Sequence, residues 1–236
     1  MARRRRPVLL PPGGPLAFPD PEASDAEGLL AVGGDLSPER LLLAYESGIF
    51  PWYAEGLPPM WWSPDPRAVI DPPALHVSKS LAREIRRGTF RVTQNVAFER
   101  VMRECGNERE GGTWILPEML AAYVRLHELG HAVSFEVWRG ERLVGGLYGV
   151  VRGALFAAES MFHREMNASK VALVAAVRTL FAAGIALFDV QFLTPHLASM
   201  GVYEIPRSEY LSRARDAVGR TVSLHGAHRS EADPLK

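Results

Sequence analysis

Acid and amide side chains stand at a few positions in this chain where apolar residues belong. In residues 187–193, LFDVQFL, side chains alternate along an extended backbone. Phe188, Val190 and Phe192 therefore share one face, and Leu187, Asp189, Gln191 and Leu193 share the other. A carboxylate in such a run is costly unless it is paired or hydrogen-bonded. The plainer reading is a buried Asp189 capping a turn, with Gln191 satisfying a backbone group. The alternative is a catalytic carboxylate–carboxamide pair. In residues 155–162, LFAAESMF, alternation sets Ala157, Glu159 and Met161 on one face, which makes Glu159 a second acid in an apolar row. A third signal is cationic. Along SKSLAREIRRG, residues 78–88, helical spacing collects Lys79, Arg83, Arg86 and Arg87 on one face and turns Leu81 and Ile85 away from it. Arg67 and Arg91 flank the segment, and only Glu84 dilutes it. Such a face is either solvated or a phosphate-binding surface.

The elements that must position these groups are legible from local signals. Residues 132–162 read as a three-stranded antiparallel meander with two short hairpin turns. Asn167 is expected to cap a long helix that Gly184 ends, and the 187–193 strand follows. Three antiparallel strands, a helix and another strand is the core order of the GCN5-related acetyltransferase fold. In that fold, chemistry takes place where the fourth and fifth strands splay apart. Glu159 and the Asp189–Gln191 pair would then face one cleft. Upstream, Ser37 and Pro38 start a helix that Gly48 stops, with Leu41, Leu42 and Tyr45 on its apolar face. Phe50-Pro51-Trp52-Tyr53 and Trp61-Trp62 follow. Aromatics this dense either fill a thin core or line a pocket. Further helices are expected at 96–105 and 117–129, with the glycine turn of EGGTWIL between them placing Trp114 on a loop. That turn is no phosphate loop, since no Gly-Lys-Ser/Thr follows. The predicted fold class is α+β. A small N-terminal domain, residues 1–62 with 1–17 flexible, precedes an acetyltransferase-like domain, residues 63–236, whose tail is flexible from about 222.

Composition narrows the function classes. Lys+Arg and Asp+Glu both number 27, so no global field draws in polyanions, and any such site must come from local clustering. The usual fate of a run such as RRRR at 3–6 is a solvated tail, with an auxiliary phosphate-contacting arm as the alternative. A single cysteine, Cys105, excludes an internal disulfide and a cysteine-rich zinc site. His76, His127, His131 and His163 lack metal-ligand spacing, so no metal is expected. The basic residues at the start are followed by a proline- and glycine-broken stretch rather than an apolar signal segment, and no run is long enough to span a bilayer. The expectation is a cytoplasmic protein without a membrane partner. It is read as a monomer, although the sequence is silent on oligomeric state.

Six segments together resemble one family, the leucyl/phenylalanyl-tRNA–protein transferases. They are GLLAVGGDLSPERLLLAYESGIFPW, WWSPDPR, GTWI, LVGGLYGV, ESMFHREMNASK and DVQ-x4-HLASMG, and the resemblance covers roughly residues 18–211. It implies transfer of Leu or Phe, and less well Met, from Leu-tRNA or Phe-tRNA to proteins with N-terminal Arg or Lys. The product is marked for N-end rule degradation, and no cofactor is needed. Carried over by position, Asp189 and Gln191 would be the catalytic pair and Glu159 an acid in the substrate pocket. Tyr45, Trp52 and Trp114 would serve the aminoacyl-adenosine site. Phe156, Met161, Leu173 and Phe188 would form the apolar pocket, although periodicity puts Phe156 and Phe188 opposite the polar residues. Thr194 stands where many members have Asn at a donor contact. Val190 replaces a frequent cysteine, with its side chain expected to face away.

The chemistry this implies is aminolysis of a reactive ester, which requires alignment, proton removal and oxyanion stabilisation. Asp189 would hold one end of the Gln191 amide so that its carbonyl accepts from the attacking amine, or else the ribose hydroxyl would relay the proton. Glu159 and Asp189 are the candidate anions for the acceptor's cationic side chain. Arg67, Lys79, Arg83, Arg86 and Arg87 are the candidate tRNA contacts. The rival is an acyl-CoA-dependent N-acetyltransferase. FHREMNASK, ahead of the long helix, lacks the glycines that would cradle a pyrophosphate.

Overall fold

The computed structural model describes residues 6–107 and 113–222. Arg3 to Arg5, the glycines of the EGGTWIL turn and the tail from 223 lie outside the described residues. The first unit comprises β1 (Val8–Leu10), β2 (Leu29–Gly33), α1 (Pro38–Glu46), β3 (Phe50–Pro51) and β4 (Met60–Trp62). Its four strands form a sheet in the order β1-β2-β4-β3. Val8–Leu10 falls in the stretch expected to be flexible, yet it pairs in parallel with β2, Leu9 opposite Val32. The start of α1 follows its local signals: Ser37 Oγ accepts from Arg40 N–H at 3.4 Å, and Pro38 occupies the first turn.

The larger unit runs through β5 (Arg67–Ile70), α2 (Lys79–Arg87), β6 (Arg91–Gln94), α3 (Phe98–Asn107), α4 (Pro117–Glu128), β7 (Ala132–Arg139), β8 (Arg142–Arg152), β9 (Leu155–His163), α5 (Ala168–Ala182), β10 (Leu187–Gln191), α6 (Pro195–Ala198), β11 (Tyr203–Ile205) and α7 (Arg207–Val218). Seven strands make one sheet, ordered β11-β5-β10-β9-β8-β7-β6. The β7–β8–β9 meander matches the sequence expectation. All pairings are antiparallel except β10 on β9, the two strands joined through α5. The architecture is thus α+β with a mainly antiparallel sheet.

Two helix starts differ from expectation. The helix expected at residue 96 begins at Phe98, and the groups before it are held by a residue remote in sequence. The buried Glu136 carboxylate accepts from the Val96 and Ala97 N–H groups at 3.4 and 3.3 Å, and from the Thr93 and Ser134 hydroxyls. Asn167 precedes α5 with φ 68° and makes no side-chain cap. Its left-handed backbone sends the amide across to Glu84, with Nδ2 donating at 2.7 Å.

The core lies on both faces of the large sheet. α5, buried over most of its circumference, packs on one face with Phe135, Leu147, Phe156 and Phe188. The other face is covered by α1, α3 and α4. There, Leu30, Leu41, Tyr45 and Trp61 from the first unit pack with Phe98, Tyr123 and Tyr148 from the second. The N-terminal aromatics therefore contribute to a shared core as well as to the cleft described next.

Candidate active site

The polar residues singled out by pattern lie at two bulges. β9 and β10 pair through Leu155–Leu187, Phe156–Phe188 and Ala157–Asp189, and the pairing stops there. Beyond that point Tyr148 opposes Ser160 while Gly149 opposes Ala158, so Glu159 is the extra residue of a bulge on β9. An added Cβ at Gly149 would come within 2.3 Å of the Ala157 carbonyl, so the sheet needs a glycine beside this bulge. On β10, Asp189 opposes Val69 and Gln191 opposes Ala68, which leaves Val190 extra and Gln191 left-handed at φ 59°. Strict alternation fails at both places. Ala157 packs with the α3 side of the sheet, whereas Met161 packs on the α5 side.

Asp189 is fully buried and saturated. Arg67 grips it with two hydrogen bonds, Nε to Oδ1 at 2.8 Å and Nη2 to Oδ2 at 2.6 Å. Tyr210 donates its hydroxyl to Oδ2 at 3.0 Å, and the Gln191 backbone N–H donates to Oδ1 at 2.9 Å. Two sequence expectations change here. Arg67 is 1% exposed and lies in the interior, where it cannot meet a tRNA phosphate, because only there can its fork match the buried carboxylate. Asp189 holds the backbone of Gln191 rather than its amide, and with its oxygens occupied it is no anionic site for an acceptor. Burial opposes the charge on Arg67, but the neighbouring Asp189 outweighs it and raises the guanidinium pKa.

Where β9 and β10 part, a cleft of about 310 Å³ opens. One wall is aromatic, built from Phe50, Pro51, Trp52, Trp114 and Phe192. Trp52 is 43% exposed, with its ring centroid 5.8 Å from that of Trp62 and 5.7 Å from that of Phe192. The opposite side is apolar, formed by Leu147, Ala158, Met161, Val190 and Leu197. Glu159, Ser160, Gln191, Thr194 and His196 supply the polar groups. The Gln191 Nε2 is out of solvent contact and has no hydrogen-bond partner among the described residues.

Glu159 is the acid of the cleft. Its Oε2 accepts from Tyr123 OH at 3.2 Å, and Tyr123 OH in turn meets Tyr45 OH in a buried contact. Its Oε1 is buried and unpartnered, although the residue as a whole is partly accessible. Burial pushes the Glu159 carboxyl up to about 8, against the pull of the two tyrosine hydroxyls and Arg67 and with the help of Asp189. The same burial, with Glu159 alongside, drives both tyrosines well above the ordinary phenol range, so they remain donors. Burial, then Lys170 and His163, lower the pKa of His196.

Of the other residues expected here, Trp52, Trp114, Met161 and Thr194 line the cleft. The Thr194 hydroxyl starts α6, accepting from Leu197 N–H at 3.2 Å. Tyr45 does not line the cleft; it is buried against Tyr123, and its hydroxyl also acts on the Glu159 carboxyl. Phe156, Leu173 and Phe188 are fully buried core and form no part of the wall. Phe156 and Phe188 form the last apolar pair before the strands part, their rings 4.7 Å apart, and Ala158 and Val190 two residues on face the cleft instead. Val190, expected to face away, packs on the same side as Phe188 and forms part of the wall. Lys79, Arg83, Arg86 and Arg87 are exposed on α2, whose Leu81 faces the core, while Glu84 is engaged by Asn167. Tyr123, Tyr210 and His196 carried no sequence signal beyond apolar periodicity or a family motif. Among the described residues, no three His, Cys, Asp or Glu side chains are grouped to hold a metal ion. No helix there is long and apolar enough to cross a membrane.

The family model for leucyl/phenylalanyl-tRNA protein transferase matches residues 69–215, and the model for the N-terminal domain of the same enzymes matches residues 34–65. The chain belongs to that family. A leucyl/phenylalanyl-tRNA–protein transferase from Anaeromyxobacter sp. (strain Fw109-5) is 59% identical over 208 residues, 87% of this chain and 88% of the relative. Those from Citrobacter koseri and Escherichia coli O139:H28 are each 54% identical, over 83% and 84% of this chain and 85% of their own lengths. Among solved structures, L-PGS from Bacillus licheniformis is 13% identical over 72% of this chain and 57% of its own, with a TM-score of 0.37, too slight a likeness to bear on fold or reaction.

Proposed function

We infer that the chain is an aminoacyltransferase that moves Leu or Phe, and less well Met, from aminoacyl-tRNA to the N-terminal Arg or Lys of proteins. The products would enter N-end rule degradation, and the enzyme would work in the cytoplasm as a monomer. The observation that carries the reading is the cleft, which sets a buried carboxamide with a free N–H and a buried carboxyl with a free oxygen against apolar and aromatic walls. The apolar side suits a Leu or Phe side chain, with β-branched residues disfavoured by shape. The Trp52 wall suits a terminal adenine by stacking. The division near Trp62 and the likeness to an acetyltransferase-like catalytic domain belong to the same reading.

In the reaction, the acceptor α-amine nitrogen attacks the ester carbonyl carbon, the C–N bond forms and the bond to the ribose oxygen breaks. The amine proton ends on that oxygen. The Gln191 carboxamide offers one acceptor for the amine and one donor for the developing oxyanion, in a backbone conformation it cannot easily leave. A transfer assay with Leu-tRNA, and with acetyl-CoA as control donor, on an Arg-initiated peptide tests the whole reading. Acetyl transfer without leucyl transfer would sink it.

Glu159 gives the acceptor site a pH signature. Near neutral pH its carboxyl is mostly protonated before the acceptor binds, and a cationic Arg or Lys side chain beside Oε1 favours the ionised form. Acceptor binding therefore releases a proton and strengthens as pH rises towards about 8. The affinity for an Arg-initiated peptide is expected to rise severalfold from pH 6.5 to 8.5 in wild type. In Glu159→Gln it is expected to stay nearly flat. Titration calorimetry at several pH values checks this, and equal slopes in the two proteins would refute the assignment.

The α2 face supplies the phosphate contacts in this reading, without reading bases. The double variant Arg83→Glu/Arg86→Glu is expected to weaken tRNA binding by more than about tenfold at low salt and to flatten its salt dependence. Filter-binding titrations at several salt concentrations measure both, and an unchanged Kd removes α2 from the interface.

A further inference from the structure

Arg67 has contacts on both sides of the cleft. Besides its fork on Asp189, its Nη1 donates to the Gly48 carbonyl at 3.1 Å, two residues before the strand that carries Phe50 and leads to Trp52. Its guanidinium carbon lies 4.7 Å from the Phe50 ring centroid and 4.4 Å from that of Tyr210. On the other side, the carboxylate it grips is the one that accepts the Gln191 N–H, at a residue whose left-handed φ of 59° is uncommon for anything but glycine. One buried side chain thus ties the aromatic wall to the bulge that presents the carboxamide.

We propose that Arg67, steadied by Tyr210, is a positioning residue that fixes the left-handed Gln191 and its distance from the Phe50–Trp52 wall. It touches neither substrate and acts through Asp189. A lysine cannot replace it, because a point charge reaches one carboxylate oxygen and gives up the fork, the Gly48 contact or the ring stacking. This proposal rests on the transfer reaction inferred above for its kinetic consequence, but its structural consequence is independent of that reaction.

The test uses Arg67→Lys and Tyr210→Phe in the full chain. Hydrogen exchange at the Gln191 amide reads the positioning directly, and single-turnover leucyl transfer reads its effect. In Arg67→Lys the Gln191 amide is expected to exchange at least about tenfold faster, while amides of β6, at the far edge of the sheet, keep their rates. Transfer at saturating tRNA is expected to fall about a hundredfold, with the tRNA Kd within about twofold of wild type. Tyr210→Phe, which removes the hydroxyl that donates to Asp189 and accepts from Arg67 but keeps the ring, is expected to give smaller changes of the same kind, and it decides the matter if Arg67→Lys does not fold. Unchanged Gln191 exchange in the folded variants, or a loss that appears only in tRNA affinity, overturns the proposal. Failure of the wild type to transfer Leu at all overturns the reaction instead and leaves the exchange result to stand on its own.

Discussion

Replacing Gln191 with Ala is expected to cut single-turnover leucyl transfer by about 10²–10³-fold, the usual cost of losing a pre-oriented hydrogen-bonding group at a developing charge. The affinity for aminoacyl-tRNA should hardly change, because the phosphate contacts assigned to α2 are elsewhere. Nor should the fold suffer much. The amide nitrogen has no partner among the described residues, so its removal relieves an unsatisfied donor rather than breaking a bond. The side chain is also not what anchors the bulge, since Asp189 takes the backbone N–H, which alanine keeps. Rapid-quench measurement of transfer, beside tRNA binding and thermal melting, separates these quantities. A near-normal single-turnover rate would mean that the ribose hydroxyl and simple alignment suffice, and the carboxamide would lose its role.

Asp189→Asn is expected to produce the largest loss of stability of any single change considered for this chain, about 3–5 kcal/mol. The asparagine is nearly isosteric and can still accept from the Gln191 N–H. It leaves the Arg67 guanidinium, 1% exposed, without its counter-charge in the interior. Most of the penalty is that stranded charge rather than the lost bond. The double variant Arg67→Met/Asp189→Leu should therefore recover much of the stability while remaining inactive. Urea denaturation of the three proteins checks the order. A variant Asp189→Asn as stable as wild type would show that the Arg67–Asp189 pair does not anchor the bulge. Activity should fall in both variants, because neither holds the Gln191 backbone as the carboxylate does.

Local signals were read correctly where the physics is local. The Ser37–Pro38 start of α1 and the short turns of the β7–β9 meander depend on a few neighbouring residues, and all are present. The exceptions are instructive. Asn167 has the residue type of a cap but not the backbone for one, and α3 takes its N-terminal acceptor from Glu136 on a strand far along the chain. Asp189, Gln191 and Glu159 interrupt the apolar rows for different physical reasons, Asp189 as an ion-paired anchor and the other two as cleft groups. These groups are costly among apolar residues, and the structure accounts for each, but not by placing all of them in the cleft.

Alone, the sequence determined the family, through long motifs in fixed order, and pointed to part of the cleft lining: Trp52, Trp114, Glu159, Met161, Gln191 and Thr194. It also determined the meander, the helix that follows it and the cationic face of α2, because alternation and helical spacing need only an unbroken register. Tertiary structure decided the rest. Counting by twos assumes that each residue opposes one partner, and the bulges at Glu159 and Val190 break that count exactly where the two central strands part. Arg67 and Asp189 lie 122 positions apart, and nothing near either one reveals that they meet. A buried carboxylate must find its partner wherever the fold brings a cation. That requirement moved Arg67 from the surface to the interior and turned Asp189 from a presumed reactive group into the anchor of Gln191.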